Sequence, residues 1–144
     1  MAEQKTLLKA VIIDGSAVAR GLLNTVLTDG GYDMAGQAHT AAAGIGLLMK
    51  FNPQIVCIAR DQVEQDNASV AAMRQQWPKA LIFMMSSEFD AATVQSAHAM
   101  GFNGFIVKPF NADTVLKTIR NTVIAMVKRQ QKAQEETGGP APEE

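Results

Sequence analysis

Short apolar runs alternate with longer amphipathic stretches between Leu7 and Lys128. Three of the runs, at 10–13, 55–58 and 81–85, are apolar without alternation, which is typical of strands covered by helices on both faces. The repeated order of strand and helix favours an α/β domain around a parallel sheet. The five predicted strands are 8–14, 34–38, 54–59, 80–86 and 104–108.

Five helices are predicted from the spacing of apolar residues and from their end signals. The first begins after Ser16 as N-cap and ends at a pair of glycines, and its apolar residues, Val18 and Leu22 included, are predicted to face the core. The last begins after Asn111, and its apolar stripe ends at Val127. The three helices between them are predicted at 40–51, 67–77 and 90–100.

Composition limits the chain to one domain of an ordinary kind. The 144 residues are 47% hydrophobic and 19% charged, so we predict a domain over 1–130 and a disordered acidic tail over 131–144. The net charge of -1 offers no basic surface for nucleic acid. No apolar window approaches the ~18 residues of a membrane span. The lone Cys57 lies in an apolar run, and we expect a cytoplasmic protein without disulfides.

Candidate chemistry is sought where the central strands end. In open parallel sheets, ligands bind beside the carboxyl ends of the strands. Those ends carry Asp14, Ala59, Ser86 and Lys108. We expect these four residues to lie at one edge of the sheet.

Four segments resemble the response-regulator receiver domain, the CheY-like family of two-component signalling, over roughly residues 7–127. They are Val11-Ile12-Ile13-Asp14-Gly15-Ser16, Pro53-Gln54-Ile55-Val56-Cys57-Ile58-Ala59, Ile82-Phe83-Met84-Met85-Ser86-Ser87 and Gly104-Phe105-Ile106-Val107-Lys108-Pro109-Phe110. The resemblance implies a doubly wound, flavodoxin-like α/β fold with strand order 2-1-3-4-5. It also implies a phosphoryl-accepting aspartate after the third strand, two acids that hold Mg²⁺, a hydroxyl and a lysine.

The chain keeps only part of that set. Asp14 matches the first acid, Ser86 the hydroxyl and Lys108 the ammonium, but Gly15 replaces the second acid and Ala59 the phosphoryl acceptor. Three carboxylates and a lysine would sum to -2, whereas Asp14 and Lys108 sum to zero. We therefore predict no catalysis, no metal and no cofactor, because Mg²⁺ binds to carboxylates. An Asp14–Lys108 ion pair is expected instead, with Arg60 at its rim.

Three functions are compatible with these residues. The first is a stand-alone pseudo-receiver, an interaction module of bacterial signalling that is not phosphorylated and is not an enzyme. The second is a phosphorelay receiver that uses Asp61 or Asp66 with Mg²⁺. The third is a flavodoxin-like domain that binds a small ligand, although the turn after the first strand lacks a G-x-G-x-x-G phosphate cradle.

A partner surface is predicted on the fourth helix, the fifth strand and the fifth helix, centred on Phe105. The resemblance implies this face, and Ile124 projects beyond the core-facing stripe of its helix, beside Arg120. An apolar centre with a polar rim suits a signalling partner or a homodimer. The alternative is that Ile124 only covers a neighbouring helix.

Overall fold

The computed structural model describes residues 7–137. Within them, five parallel strands form one sheet in the order β2-β1-β3-β4-β5, as predicted. Each strand lies within one residue of its predicted ends. The strands are β1 (Lys9–Ile13), β2 (Asp33–Ala38), β3 (Ile55–Ala59), β4 (Leu81–Ser86) and β5 (Gly104–Val107).

Six helices, one more than predicted, accompany the sheet in the described part of the chain. They are α1 (Ala17–Asp29), α2 (Ala41–Phe51), α3 (Arg60–Gln65), α4 (Asn67–Gln76), α5 (Ala91–Met100) and α6 (Ala112–Thr137). The unpredicted helix is α3, which is too short to show a helical period. It ends at Asp66, whose extended φ of -144° stops α3 while its side chain caps α4.

The sheet is covered on both faces, which explains its unbroken apolar strands. Buried residues of α2, α4 and α5 pack with one face, and those of α1 and α6 with the other. The prediction assigned too many apolar residues of α1 to the core. Val18 is 73% exposed and Leu22 56% exposed, because the contact with the sheet is made by Leu23 and Leu27, with Val26 partly buried beside them.

The last helix is longer than the predicted domain. It continues to Thr137, so residues 131–137, predicted as part of a disordered tail, are helical. Lysine, glutamine, alanine and glutamate are good helix formers, and they extend the helix past the end of its apolar stripe. The rest of the predicted tail, 138–144, lies outside the described residues. Within 7–137, no helix has the length and apolar character of a membrane span.

Arg74 fixes the loops at the edge of the sheet where β4 and β5 begin. Its guanidinium donates hydrogen bonds to the carbonyls of Trp77, Ala80 and Gly101 at 3.1, 2.5 and 3.1 Å. Burial lowers the pKa of Arg74 from its ordinary value. The side chain therefore joins α4, the α4–β4 connection and the end of α5, a role that the sequence did not reveal.

Candidate functional site

The predicted strand-end residues meet at the carboxyl edge of the sheet. A cavity of about 230 Å³ is lined there by Ala59, Ser86 and Lys108, together with residues of α3 that include Asp61. Asp14 lies at the same edge, because its carboxylate contacts Lys108. Parallel pairing of β1, β3, β4 and β5 produces this arrangement.

Asp14 and Lys108 form the predicted ion pair. Lys108 Nζ lies 2.7 Å from Asp14 Oδ2, and the two side chains are 27% and 3% exposed. The other carboxylate oxygen accepts a hydrogen bond of 2.9 Å from the amide of Ser16. Both oxygens of Asp14 are thus engaged by groups of the protein.

Gln62 is a site residue that the sequence analysis missed. Its buried side chain accepts a hydrogen bond of 3.3 Å from the amide of Ala41, the first residue of α2. Its amide nitrogen lies 3.4 Å from the position that a Cβ on Gly15 would occupy. The side chain from α3 therefore fills the space beside Gly15, where the family pattern has a carboxylate. This placement of Gln62 depends on helix α3. Because α3 was not predicted, Gln62 was not identified from the sequence.

The residues present do not fit a magnesium ion. Ala59 and Gly15 have no side-chain oxygen that could bind a metal, and the carboxylate of Asp14 already binds Lys108 and Ser16. Mg²⁺ requires oxygen ligands in near-octahedral geometry. Among residues 7–137, no group of three or more His, Cys, Asp or Glu side chains is placed to hold a metal.

The hydroxyl and the second cation of the cavity also have partners within the protein. Ser86 Oγ donates to the carbonyl of Glu88 at 2.9 Å and accepts from its amide at 3.2 Å. Arg60 lines the cavity as expected, but its Nε lies 2.9 Å from Glu64 Oε2. It also donates to the carbonyl of Glu88 at 3.1 Å. Local contacts thus hold both side chains.

The two alternative phosphoryl acceptors differ in position. Asp61 is exposed in the first turn of α3 and lines the cavity. Asp66 caps α4 and accepts hydrogen bonds from the Ser69 amide at 3.1 Å and hydroxyl at 2.7 Å. These bonds hold the pKa of Asp66 below its ordinary value. Asp66 is absent from the cavity lining, so Asp61 is the better placed of the two.

Phe105, Arg120 and Ile124 lie on β5 and α6, two elements of the predicted partner surface. The Phe105 ring contacts Phe89 and His98 edge-on, at centroid distances of 5.1 and 5.4 Å, on the α5 face of the sheet. Arg120 and Ile124 lie on α6, which packs on the other face. Helix α6 and Phe105 nevertheless line a common cavity, through Thr114 and Thr118. One surface formed by these three residues stays a prediction.

Comparison with known proteins identifies the family of this chain. Residues 10–120 match the response regulator receiver domain, and the chain belongs to that family. The chemotaxis protein CheY of Bacillus subtilis is 28% identical over 116 residues, which cover 80% of this chain and 97% of CheY. CheY of Thermotoga maritima is 27% identical and is covered to 93%.

Solved structures give the same result. CheY4 of Vibrio cholerae superposes with a TM-score of 0.75 at 26% identity, covering 81% of this chain and 99% of CheY4. The fold, the strand order and the response-regulator class are therefore confirmed. Receiver domains of this kind are signalling modules that interact with signalling partners.

Proposed function

We propose that this chain is a pseudo-receiver, a cytoplasmic interaction module of bacterial signalling that works without aspartyl phosphorylation. One observation carries the proposal: β3 ends in the buried methyl group of Ala59, beside a closed Asp14–Lys108 ion pair. A methyl group has no lone pair to attack a phosphorus atom. Lys108, which would stabilise a phosphoryl group, already neutralises Asp14.

A phosphorelay receiver that uses Asp61 is the second candidate, because Asp61 lines the same cavity as Ser86 and Lys108. Two features oppose it. The Asp61 side chain is exposed on the helix α3 rather than at a strand end. The carboxylates needed to hold Mg²⁺ beside it are missing at Gly15 and Ala59.

Restoring the two missing carboxylates should restore phosphorylation in steps. We expect Ala59→Asp alone to be labelled only weakly by a small phosphodonor with Mg²⁺, because the metal would have too few ligands. Ala59→Asp with Gly15→Asp should be labelled at least about tenfold more, a gain of about 1.4 kcal/mol in transition-state stabilisation. Intact mass at matched times measures both.

Ala59→Asn with Gly15→Asp is the matched control, since it restores the metal ligand and the side-chain volume without a nucleophile. Equal labelling of the single and double aspartate variants would show that Gly15 does not limit metal binding. Labelling of the asparagine control would place the acceptor elsewhere.

The partner surface is proposed on α5, β5 and α6, with its apolar centre shifted from Phe105 to the exposed flank of α6. Phe105 is half-buried and packed between Phe89 and His98. Ile124 and Val127, by contrast, are 45% and 41% exposed on α6. We expect a permanent complex on this surface, because no phosphoryl group is available to switch it between two states.

Self-association through Ile124 and Val127 predicts that one substitution changes the oligomeric state. Ile124→Lys should convert a wild-type dimer into a monomer in sedimentation velocity, because it places a charge in the apolar centre. Ala71→Lys, on the exposed side of α4, is the control. A wild type that is monomeric at high concentration would exclude the homodimer and leave a different protein as the partner.

A further inference from the structure

A second cavity lies at the opposite edge of the sheet, where β3 and β4 begin. Its volume is about 310 Å³, and it is lined by residues 52–54 and 76–80. Trp77, the one tryptophan of the chain, is half-buried in its wall, with Pro53 buried and Pro78 exposed beside it. We call this cavity the Trp77 groove. Its aromatic and proline surfaces are typical of sites that take extended peptides.

The charges around the Trp77 groove are of one sign. Along 50–54 and 76–80, the charged residues are Lys50 and Lys79. Lys79 is exposed in the groove lining. Lys50 Nζ lies 5.2 Å from the centroid of the Phe51 ring. The rim therefore favours an acidic ligand.

Arg74 holds the wall of the groove in place. Its guanidinium donates hydrogen bonds of 3.1 Å to the carbonyls of both Trp77 and Pro78, and a shorter one to Ala80. A connection fixed in this way loses little conformational entropy when a peptide binds. The groove is thus preorganised although it lies in a loop.

The chain itself contains a segment of matching chemistry. Residues 138–144, outside the described part, read Gly-Gly-Pro-Ala-Pro-Glu-Glu. Proline-rich segments favour the extended conformation that aromatic grooves bind, and the two glutamates complement the charge of Lys79 in the lining. We propose that the Trp77 groove binds the segment Pro140-Ala141-Pro142-Glu143-Glu144 of a second copy of this chain.

Distances along the fold keep Pro140 of the same copy away from the groove. Helix α6 runs back along β5, since Thr122 Oγ1 lies 3.6 Å from the Cβ position of Gly104. From Thr122 to Thr137, the helix advances a further ~22 Å. Ala80 in the groove lies three residues before Phe83, the partner of Gly104 in the sheet, a distance of ~10 Å.

The end of α6 therefore lies about 12 Å beyond the level of the groove. It also lies on the other face of the sheet, because Trp77 packs with the α4 face and α6 with the α1 face. Three residues from Thr137 to Pro140 span at most ~11 Å. Pro140 cannot reach the groove of its own chain, whereas this distance does not constrain the segment of a second copy.

Tryptophan fluorescence tests this proposal directly, because Trp77 is the one tryptophan. We expect a synthetic peptide of residues 137–144, titrated from about 1 μM to 1 mM into the full chain at low concentration, to shift the emission and saturate. The full chain alone should show the same shift on concentration. Pro140→Ala with Pro142→Ala in the full chain should abolish that second shift.

Charge variants locate the contact. Lys79→Glu should weaken peptide binding at least about threefold, as expected for one lost ion pair at a surface, while Ile124→Lys should leave it unchanged. Unaltered fluorescence up to 1 mM peptide would overturn the proposal, and so would binding that is insensitive to Lys79→Glu. A shift that is present at every chain concentration and lost in the proline variant would assign the segment to its own copy.

Discussion

Lys108→Met should lower the free energy of unfolding by about 2 to 3 kcal/mol, because it leaves the carboxylate of Asp14 buried without its counter-ion. The Asp14 side chain is 3% exposed and would keep only the hydrogen bond from the Ser16 amide. Lys108 is 27% exposed, so water replaces part of the lost interaction. Urea unfolding at neutral pH measures the difference.

The control for this prediction is the double variant Asp14→Asn with Lys108→Met. It removes both charges and keeps an oxygen that accepts from Ser16, so we expect it to recover at least half of the lost stability. Lys117→Met removes an exposed lysine of α6 and should change stability by less than about 0.5 kcal/mol. A double variant as unstable as Lys108→Met would contradict the ion pair as the source of the effect.

Arg74→Met should lower the free energy of unfolding by about 3 kcal/mol. The substitution keeps an apolar stem but removes every hydrogen bond to the carbonyls of Trp77, Pro78, Ala80 and Gly101. Each hydrogen bond to a charged donor contributes about 1.5 to 3 kcal/mol, and water that enters the loosened loops compensates for part of the sum. Chemical unfolding followed by circular dichroism measures the loss.

Arg74→Lys separates charge from geometry. Lysine keeps the charge but has no planar fork to span the carbonyls of the two connections, so we expect about half of the loss to remain. Arg129→Met, at an exposed position of α6, is the matched control. A loss below about 1 kcal/mol in Arg74→Met would show that the carbonyls are solvated equally well by water.

Features that depend on local pattern were predictable from the sequence. The strands were found because three of them are apolar without interruption, and Ser16 was recognised as an N-cap that the structure confirms by its hydrogen bond of 3.1 Å from Ala19. The Asp14–Lys108 pair followed from strand ends that share one edge of the sheet. Neighbouring residues carry the signal for the strands and the cap, whereas the pair, 94 residues apart, was expected from the shared edge and the family resemblance.

Side-chain contacts with backbone groups of distant elements were not predictable. Gln62 and Arg74 bind backbone groups of other elements, and backbone groups leave no mark on the sequence. The prediction that Val18 faces the core was wrong, because helical angles do not reveal how many residues of a helix contact the sheet. The surface around Phe105 stays a prediction, because it depends on an unidentified partner.

The proposed pseudo-receiver accepts no phosphoryl group. The most direct test is the intact mass of the wild-type chain after incubation with a small phosphodonor and Mg²⁺, with the doubly restored variant Gly15→Asp, Ala59→Asp in parallel. We expect an unchanged wild-type mass while the restored variant gains one phosphoryl group. A wild type that gains the mass of one phosphoryl group, mapped by peptide analysis to Asp61 or Asp66, would contradict the proposal.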